Sequence, residues 1–148
     1  MGYTLSVCEG FERFDYYGQG ELDAYCDRKD GAMFGRYSGT VDGMFCQNVM
    51  PQENGNKYNV RWARLRDASG IGLTVCGDQP IQTTVKHYTD MHLAEAEHSC
   101  ELVREKAVTW NIHHLMAPLG NESCGPAPLD KYVLHPRPWS FTLFFQVQ

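Results

Sequence analysis

An all-β fold, an antiparallel β-sandwich carrying one short helix, is what this 148-residue sequence predicts. Three observations predict it. Turn-forming residues recur at short intervals, at Gly18-Gln19-Gly20, Asp30-Gly31, Asp42-Gly43, Asn54-Gly55-Asn56, Ser69-Gly70, Gly77-Asp78 and Gly120-Asn121. The runs between them are short and partly alternating, the pattern of sheets built from many small strands. One segment alone has helix chemistry.

In chain order, Tyr3 to Val7 and Phe34 to Val41 read as strands by alternation. Val60 to Leu65 also reads as a strand, but its two alternating sets, Val60, Trp62, Arg64 and Arg61, Ala63, Leu65, each mix apolar and charged residues. Its facing therefore stays open. Ala68 to Leu73 reads as a hairpin turn leading into Gly72 to Cys76. Thr89 to His98 is the helical segment: Thr89 can cap the first turn, Asp90 suits its positive end, and Ala94-Glu95-Ala96-Glu97 has high helix propensity. Leu93, with Ala94 or Met91, would dock it. Val108 to Ile112 is strand-like, and the adjacent His113 and His114 that follow should face opposite sides, one core and one solvent. His135-Pro136-Arg137-Pro138 turns the chain into a final strand, where Trp139, Phe141, Leu143, Phe145 and Val147 share one side and should be half-buried.

By length the chain makes one domain, residues 1–148, able to own a core. Thirteen Lys and Arg against eighteen Asp and Glu give a net charge of -5, so no basic footprint draws it to nucleic acid or an anionic membrane. No run approaches the roughly 20 apolar residues that span a bilayer. The first residues lack the basic and apolar regions of a secretory signal, so a cytoplasmic location is expected. Cysteines 8, 26, 46, 76, 100 and 124 contain no CxxC pair, which argues against a zinc cage. Reduced, buried thiols are expected instead.

Candidate chemistry is sparse. His87, His92 and His98 are five and six apart, so on a helix they fall on different faces and cannot form a metal-binding pair. Glu21, Asp23, Asp27, Glu53, Glu95, Glu97, Glu122 and Asp130 are plentiful, yet no spacing selects two of them as a glycosidase pair, and a solvated or loop-bracing role is the reading for each. No GxSxG, P-loop or GxGxxG motif occurs. Cys124 sits in a loop stiffened by Gly125-Pro126 and Pro128. As a nucleophile it would need a base and nearby positive charge, whereas its neighbours include Glu122 and Asp130. A small polarisable wall for a pocket is the remaining role.

The motifs align in a known order. Tyr16-Tyr17-Gly18-Gln19-Gly20, Tyr25-Cys26-Asp27-Arg28-Lys29, Pro51-Gln52-Glu53-Asn54-Gly55-Asn56 with Val60-Arg61-Trp62, His87-Tyr88-Thr89, Glu101-Leu102 and Ser123-Cys124-Gly125-Pro126 resemble the C-terminal part of the large LacZ-type β-galactosidases of glycoside hydrolase family 2. The Pro51 to Asn56 block is the most specific. The resemblance implies the C-terminal half of a galactose-mutarotase-like supersandwich, with no catalytic residue on this chain, because the family's catalytic glutamates lie on a separate upstream barrel. It implies that Asn121, Glu122, Ser123 and Cys124 form a loop at the substrate rim, Cys124 standing where some relatives place Trp. Mg and Na would belong to the parent enzyme, with no cofactor on this chain. Its implied partners are the catalytic barrel, the upstream half of the enzyme, further copies in a homo-oligomer, and a β-galactoside. The chain departs from the family pattern at Gly20 to Tyr25, where a proline is missing and Asp23 stands for Glu. Gly2 to Leu5 resembles a strand from the middle of the family domain, so uncovered sheet faces and edges are expected in a fragment or subunit that needs a partner. A free-standing carbohydrate-binding sandwich is the alternative, weakened by the placement of Trp62, Trp110 and Trp139 inside strands rather than at loop tips.

Overall fold

The computed structural model describes residues 1–120 and 124–148. Eight strands form one antiparallel, branched sheet: β1 (Gly2–Val7), β2 (Arg13–Gln19), β3 (Phe34–Thr40), β4 (Lys57–Arg66), β5 (Gly72–Gly77), β6 (Ile81–Lys86), β7 (Val108–His113) and β8 (Leu143–Val147). The order is β1-β7-β6-β4-β2-β3, with β5 added to β4 and β8 added to β5. The antiparallel, mostly β class agrees with the sequence.

Strand β4 is the fork. Along one side it pairs with β2, from Arg13↔Arg66 to Gln19↔Tyr58. Along the other, its first half meets β6 at Lys57↔Thr83 and Val60↔Ile81, and its second half meets β5 from Ala63↔Val75 to Arg66↔Gly72. The register slips between Lys57 and Val60, where Asn59 takes a positive φ of 52°. This resolves the facing left open by alternation: Val60, Ala63 and Leu65 are all fully buried, three and two residues apart, because the strand changes face at the fork. Gly18 lies opposite the slip, and a Cβ there would sit 2.7 Å from Val60 Cγ2. No side chain fits that approach.

Both branches feed one core. Phe14 of β2 meets Trp110 of β7 edge to face at 6.1 Å between ring centroids. Val60, Leu65, Val75, Val85 and Ile112 fill the space around them. Trp110 Nε1 donates to Thr83 Oγ1 at 2.8 Å, and Thr83 Oγ1 donates to the Asn111 carbonyl at 2.8 Å, so the one polar atom of the indole is satisfied inside the core.

Two short α-helices are present among the described residues where one helix was expected. The predicted one, α2 (Asp90–Glu95), starts as anticipated: Thr89 Oγ1 accepts from His92 N at 3.1 Å and Leu93 is buried, but Met91 points to solvent. The unexpected one, α1 (Val41–Met44), occupies the segment read as an Asp42-Gly43 turn. Thr40 Oγ1 accepts from Gly43 N at 3.0 Å, and Val41 and Met44 enter the core, so capping and burial together turn a four-residue bend into a helical turn. The hairpin predicted over Ala68 to Leu73 forms with its turn at 67–71, Asp67 Oδ1 accepting from Ser69 N at 2.9 Å and Ile71 N at 3.0 Å. The Ser69 hydroxyl, donating to the same oxygen at 2.7 Å, and after it those backbone amides hold the Asp67 carboxyl below the usual range.

Three expectations fail. The last strand begins only at Leu143, and of the side expected to be half-buried Trp139, Phe141 and Leu143 are so, whereas Phe145 and Val147 are 48% and 75% exposed. β8 pairs with β5 on one edge, from Leu73↔Val147 to Gly77↔Leu143; Leu143 packs against the core, while Phe144, Phe145 and Val147 stay open to solvent among the described residues. None of the six cysteines is buried: Cys8, Cys100 and Cys124 are exposed and the other three are half-buried, all as free thiols. Neither member of the His113 and His114 pair is solvent-facing. His114 stacks on Phe141 at 5.0 Å, and His113 is sufficiently enclosed that burial pushes its imidazole down to about 4. The accessible surface of 8771 Å² exceeds the roughly 7,700 Å² of a compact chain of 16.8 kDa.

Candidate functional site

The loop singled out by the sequence rises from a well-fastened base. Of its four predicted substrate-facing residues, Asn121, Glu122 and Ser123 lie outside the described residues, and Cys124 is exposed with a free thiol. Below them, Gly120 takes a positive φ of 72°, and a Cβ on it would lie 3.0 Å from Pro128 Cγ. The two feet of the loop therefore touch, and glycine is what lets them do so. Asp27 holds the first foot: its Oδ1 accepts from Leu119 N at 3.2 Å and its Oδ2 from Gly120 N at 2.9 Å. The loop-bracing role expected of the acids as a group falls to this one here.

The Pro51 to Asn56 block carries structure rather than chemistry. Asn56 Nδ2 donates to Gln82 Oε1 at 2.9 Å and to the Ala24 carbonyl at 2.7 Å, while Ala24 N donates back to the Asn56 carbonyl at 2.7 Å. Gly55, with φ of 74°, passes so near Met44 that a Cβ would be 2.5 Å from its carbonyl oxygen. The block thus knits the outer face of β6 to the segment that carries Asp27.

Beside the loop base lies an open cavity of about 520 Å³, whose walls include Lys29, Tyr58, Gln82, Tyr132, Arg137 and Trp139. Its cations lie over its own rings: Lys29 Nζ is 5.2 Å from the Tyr58 centroid, Lys131 Nζ 4.7 Å from Tyr132, and the Arg137 guanidinium carbon 3.8 Å from Trp139. Trp139, expected in a strand, stands in a loop and lines this cavity. The rigid strand alternation assumed for 139–147 concealed it. Among the described residues the only carboxylate in the wall is Asp130, and His135 Nε2 lies 3.0 Å from it. A retaining glycosidase needs two carboxyl groups about 5 to 5.5 Å apart across one bond. The described walls do not supply them.

Elsewhere, acids meet cations. Glu53 Oε2 and Asp90 Oδ1 converge on the fully buried Lys86, at 3.2 and 2.7 Å, and burial pushes the Glu53 carboxyl up. Two carboxylates thus share a shallow hollow walled by Pro51, Gln52 and Leu93, but both are engaged by the buried Lys86 ammonium. His87, one of the histidines weighed as a metal ligand, is buried, with Nε2 2.9 Å from Glu12 Oε2 and Nδ1 3.3 Å from the Ala107 carbonyl. Arg104 completes that cluster on Asp42 at 3.2 Å.

Comparison with known proteins adds an independent finding. A family model described as "Beta galactosidase small chain" matches residues 1–145. A β-galactosidase of Halalkalibacterium halodurans is 32% identical over 126 residues, 84% of this chain and 12% of that protein. One from Kluyveromyces lactis is 28% identical over 141 residues, 95% of this chain and 14% of that protein. One from Actinobacillus pleuropneumoniae is 32% identical over 134 residues, 90% of this chain and 13% of that protein. The chain spans about an eighth of the length of these relatives.

Proposed function

Since the chain belongs to the β-galactosidase small-chain family, we propose that it is the C-terminal β-sandwich region, within a galactose-mutarotase-like supersandwich, of an enzyme that hydrolyses terminal β-galactosides. In this reading the region contributes the loop of Asn121, Glu122, Ser123 and Cys124 to the substrate rim, and its sheet surfaces to scaffold and subunit contacts. The carboxylates that protonate the leaving group and form the glycosyl intermediate lie on the remainder of the enzyme, and residues 1–148 act as one domain of it.

The observation that carries the reading is coverage. Relatives named β-galactosidase match this chain over most of its length while it spans only 12 to 14% of theirs. The exposed Phe144, Phe145 and Val147, and a surface larger than a compact chain needs, support contact with further protein. A cytoplasmic location and a homo-oligomeric parent belong to the same reading. So do Mg and Na in the parent.

The test is reconstitution. The purified chain given a chromogenic β-galactoside should show no turnover, and adding the separately produced upstream part of the enzyme should generate it. Turnover that tracks the lone chain through gel filtration would overturn the reading. A carbohydrate-binding module is the second reading, favoured by the cavity lined with Tyr58, Tyr132 and Trp139. Titration of galactose or lactose against Trp fluorescence separates them, since a binding module saturates and a rim segment does not.

A further inference from the structure

The cavity lined by Tyr58, Tyr132 and Trp139 is rich in cations and short of anions. Lys29, Lys131 and Arg137 stand in its wall, and none of them meets a carboxylate among the described residues. Elsewhere on this chain of net charge -5, Arg28, Arg66, Lys86, Arg104 and Lys106 all do. Asp130, the carboxylate of the described wall, is engaged by His135 at 3.0 Å. Because each of the three cations lies over a ring of the same wall, part of the aromatic face that a neutral sugar would stack on is already covered. A guanidinium 3.8 Å from the Trp139 centroid uses its face on the ring and keeps its N–H edge, a fork of donors that matches an oxyanion.

A fourth donor comes from the protein interior. Gln82, only 4% exposed, lines the same cavity, and its amide orientation is fixed by its neighbours. The Ala24 carbonyl can only accept, so Asn56 turns Nδ2 toward it; the same Nδ2 donates to Gln82, which must therefore offer Oε1. The Gln82 atom left for a ligand is Nε2, a donor with no acceptor among the described residues. The volume of about 520 Å³ falls within the range of roughly 300–1,000 Å³ common to small-molecule sites, and Leu115, Val133 and Leu134 add apolar wall.

We propose that this cavity binds a small organic anion, a carboxylate or phosphate on a sugar-sized body, whose charge is drawn by Lys29, Lys131 and Arg137 and one of whose oxygens accepts from Gln82 Nε2. The inference does not rest on the rim reading.

Three ligands that share one body read the charge: galactose 6-phosphate, galacturonate and galactose, each titrated calorimetrically into the full chain. At least one of the two anions should bind about tenfold or more tighter than galactose, and which one does so names the group the site takes. Raising salt from about 50 to about 500 mM should weaken the anion severalfold. Arg137→Gln and Lys29→Met should each weaken it about tenfold, the scale of a lost hydrogen bond to a charged group. Gln82→Glu keeps the oxygen that Asn56 donates to but replaces the free donor by a carboxylate oxygen, and should abolish anion binding; if that variant does not fold, the exposed Arg137 decides. Equal affinity for galactose and both anions overturns the proposal and favours the carbohydrate-binding module. Anion binding that Arg137→Gln and Lys29→Met leave unchanged also overturns it, as does the absence of saturable anion binding at about 10 mM ligand.

Discussion

Strands β6 and β8 invert what their sequences would lead one to expect. Strand β6, Ile-Gln-Thr-Thr-Val-Lys, is half polar and buried at each of its six positions. Strand β8, Leu-Phe-Phe-Gln-Val, is mostly apolar and largely exposed. The difference lies in what covers them. One face of β6 enters the core through Ile81 and Val85, and on the other Gln82 and Lys86 are roofed by Asn56, Glu53 and Asp90, which supply partners for those two side chains. Burial of a polar strand is tolerable when its atoms are paired. β8 has a ladder partner on one edge and no described layer over its phenylalanines. In the proposed reading this bare strand is where the chain meets more of the enzyme.

The comparison breaks most sharply at Lys86. Replacing it by Met keeps the volume but leaves Glu53 and Asp90 facing each other without a cation, and removing one partner of a buried ion pair costs about 3–5 kcal/mol. Asp90 is half exposed, so roughly 2–3 kcal/mol is the expected loss in urea denaturation. A loss below about 1 kcal/mol would mean that the roof over β6 is not held by charge.

A pH titration sharpens the same contrast. His113 lies on β7 beside that polar layer, and its folded pKa is depressed to about 4, chiefly by burial, with the terminal ammonium and Lys86 adding to the effect. The unfolded chain takes up a proton near pH 6.5, the folded one only near 4, so the unfolded state binds more protons between those values. Stability should fall as pH drops from about 6.5 to about 4, by on the order of 2 kcal/mol after allowance for partial exposure. His113→Gln should flatten that slope when thermal midpoints are followed across the window.

The smallest expected effect is on β8. Phe144→Ser should change the stability of the isolated chain by about 0.5 kcal/mol or less, as for other surface substitutions. The same change should weaken association with the rest of the enzyme measurably in an ultracentrifuge. A large loss in the isolated chain would show that β8 is covered after all.

Much of the fold is legible in local chemistry. Thr89 and Leu93 announce α2, Ala68 to Leu73 announces the hairpin, and the turn residues space the strands. What is hidden depends on long-range geometry. The fork in β4 needs a register slip at Asn59, which no alternation reveals. The cap and two core contacts of α1 are visible only once Val41 and Met44 have something to pack against. At the site, Cys124 and its glycine-proline setting stand out in the sequence, whereas Asp27 reaches its amide partners across sequence separations of 92 and 93 and is one acid among many.

The sequence by itself determined the antiparallel β class, the family and the positions of most turns, because these rest on residue-by-residue preferences and on motif order. Only the tertiary structure decided which strands are covered, where β4 changes face, and which carboxylate clamps the loop. Those outcomes depend on what is brought alongside each residue, and a hydrophobic or charged side chain carries no record of that neighbour.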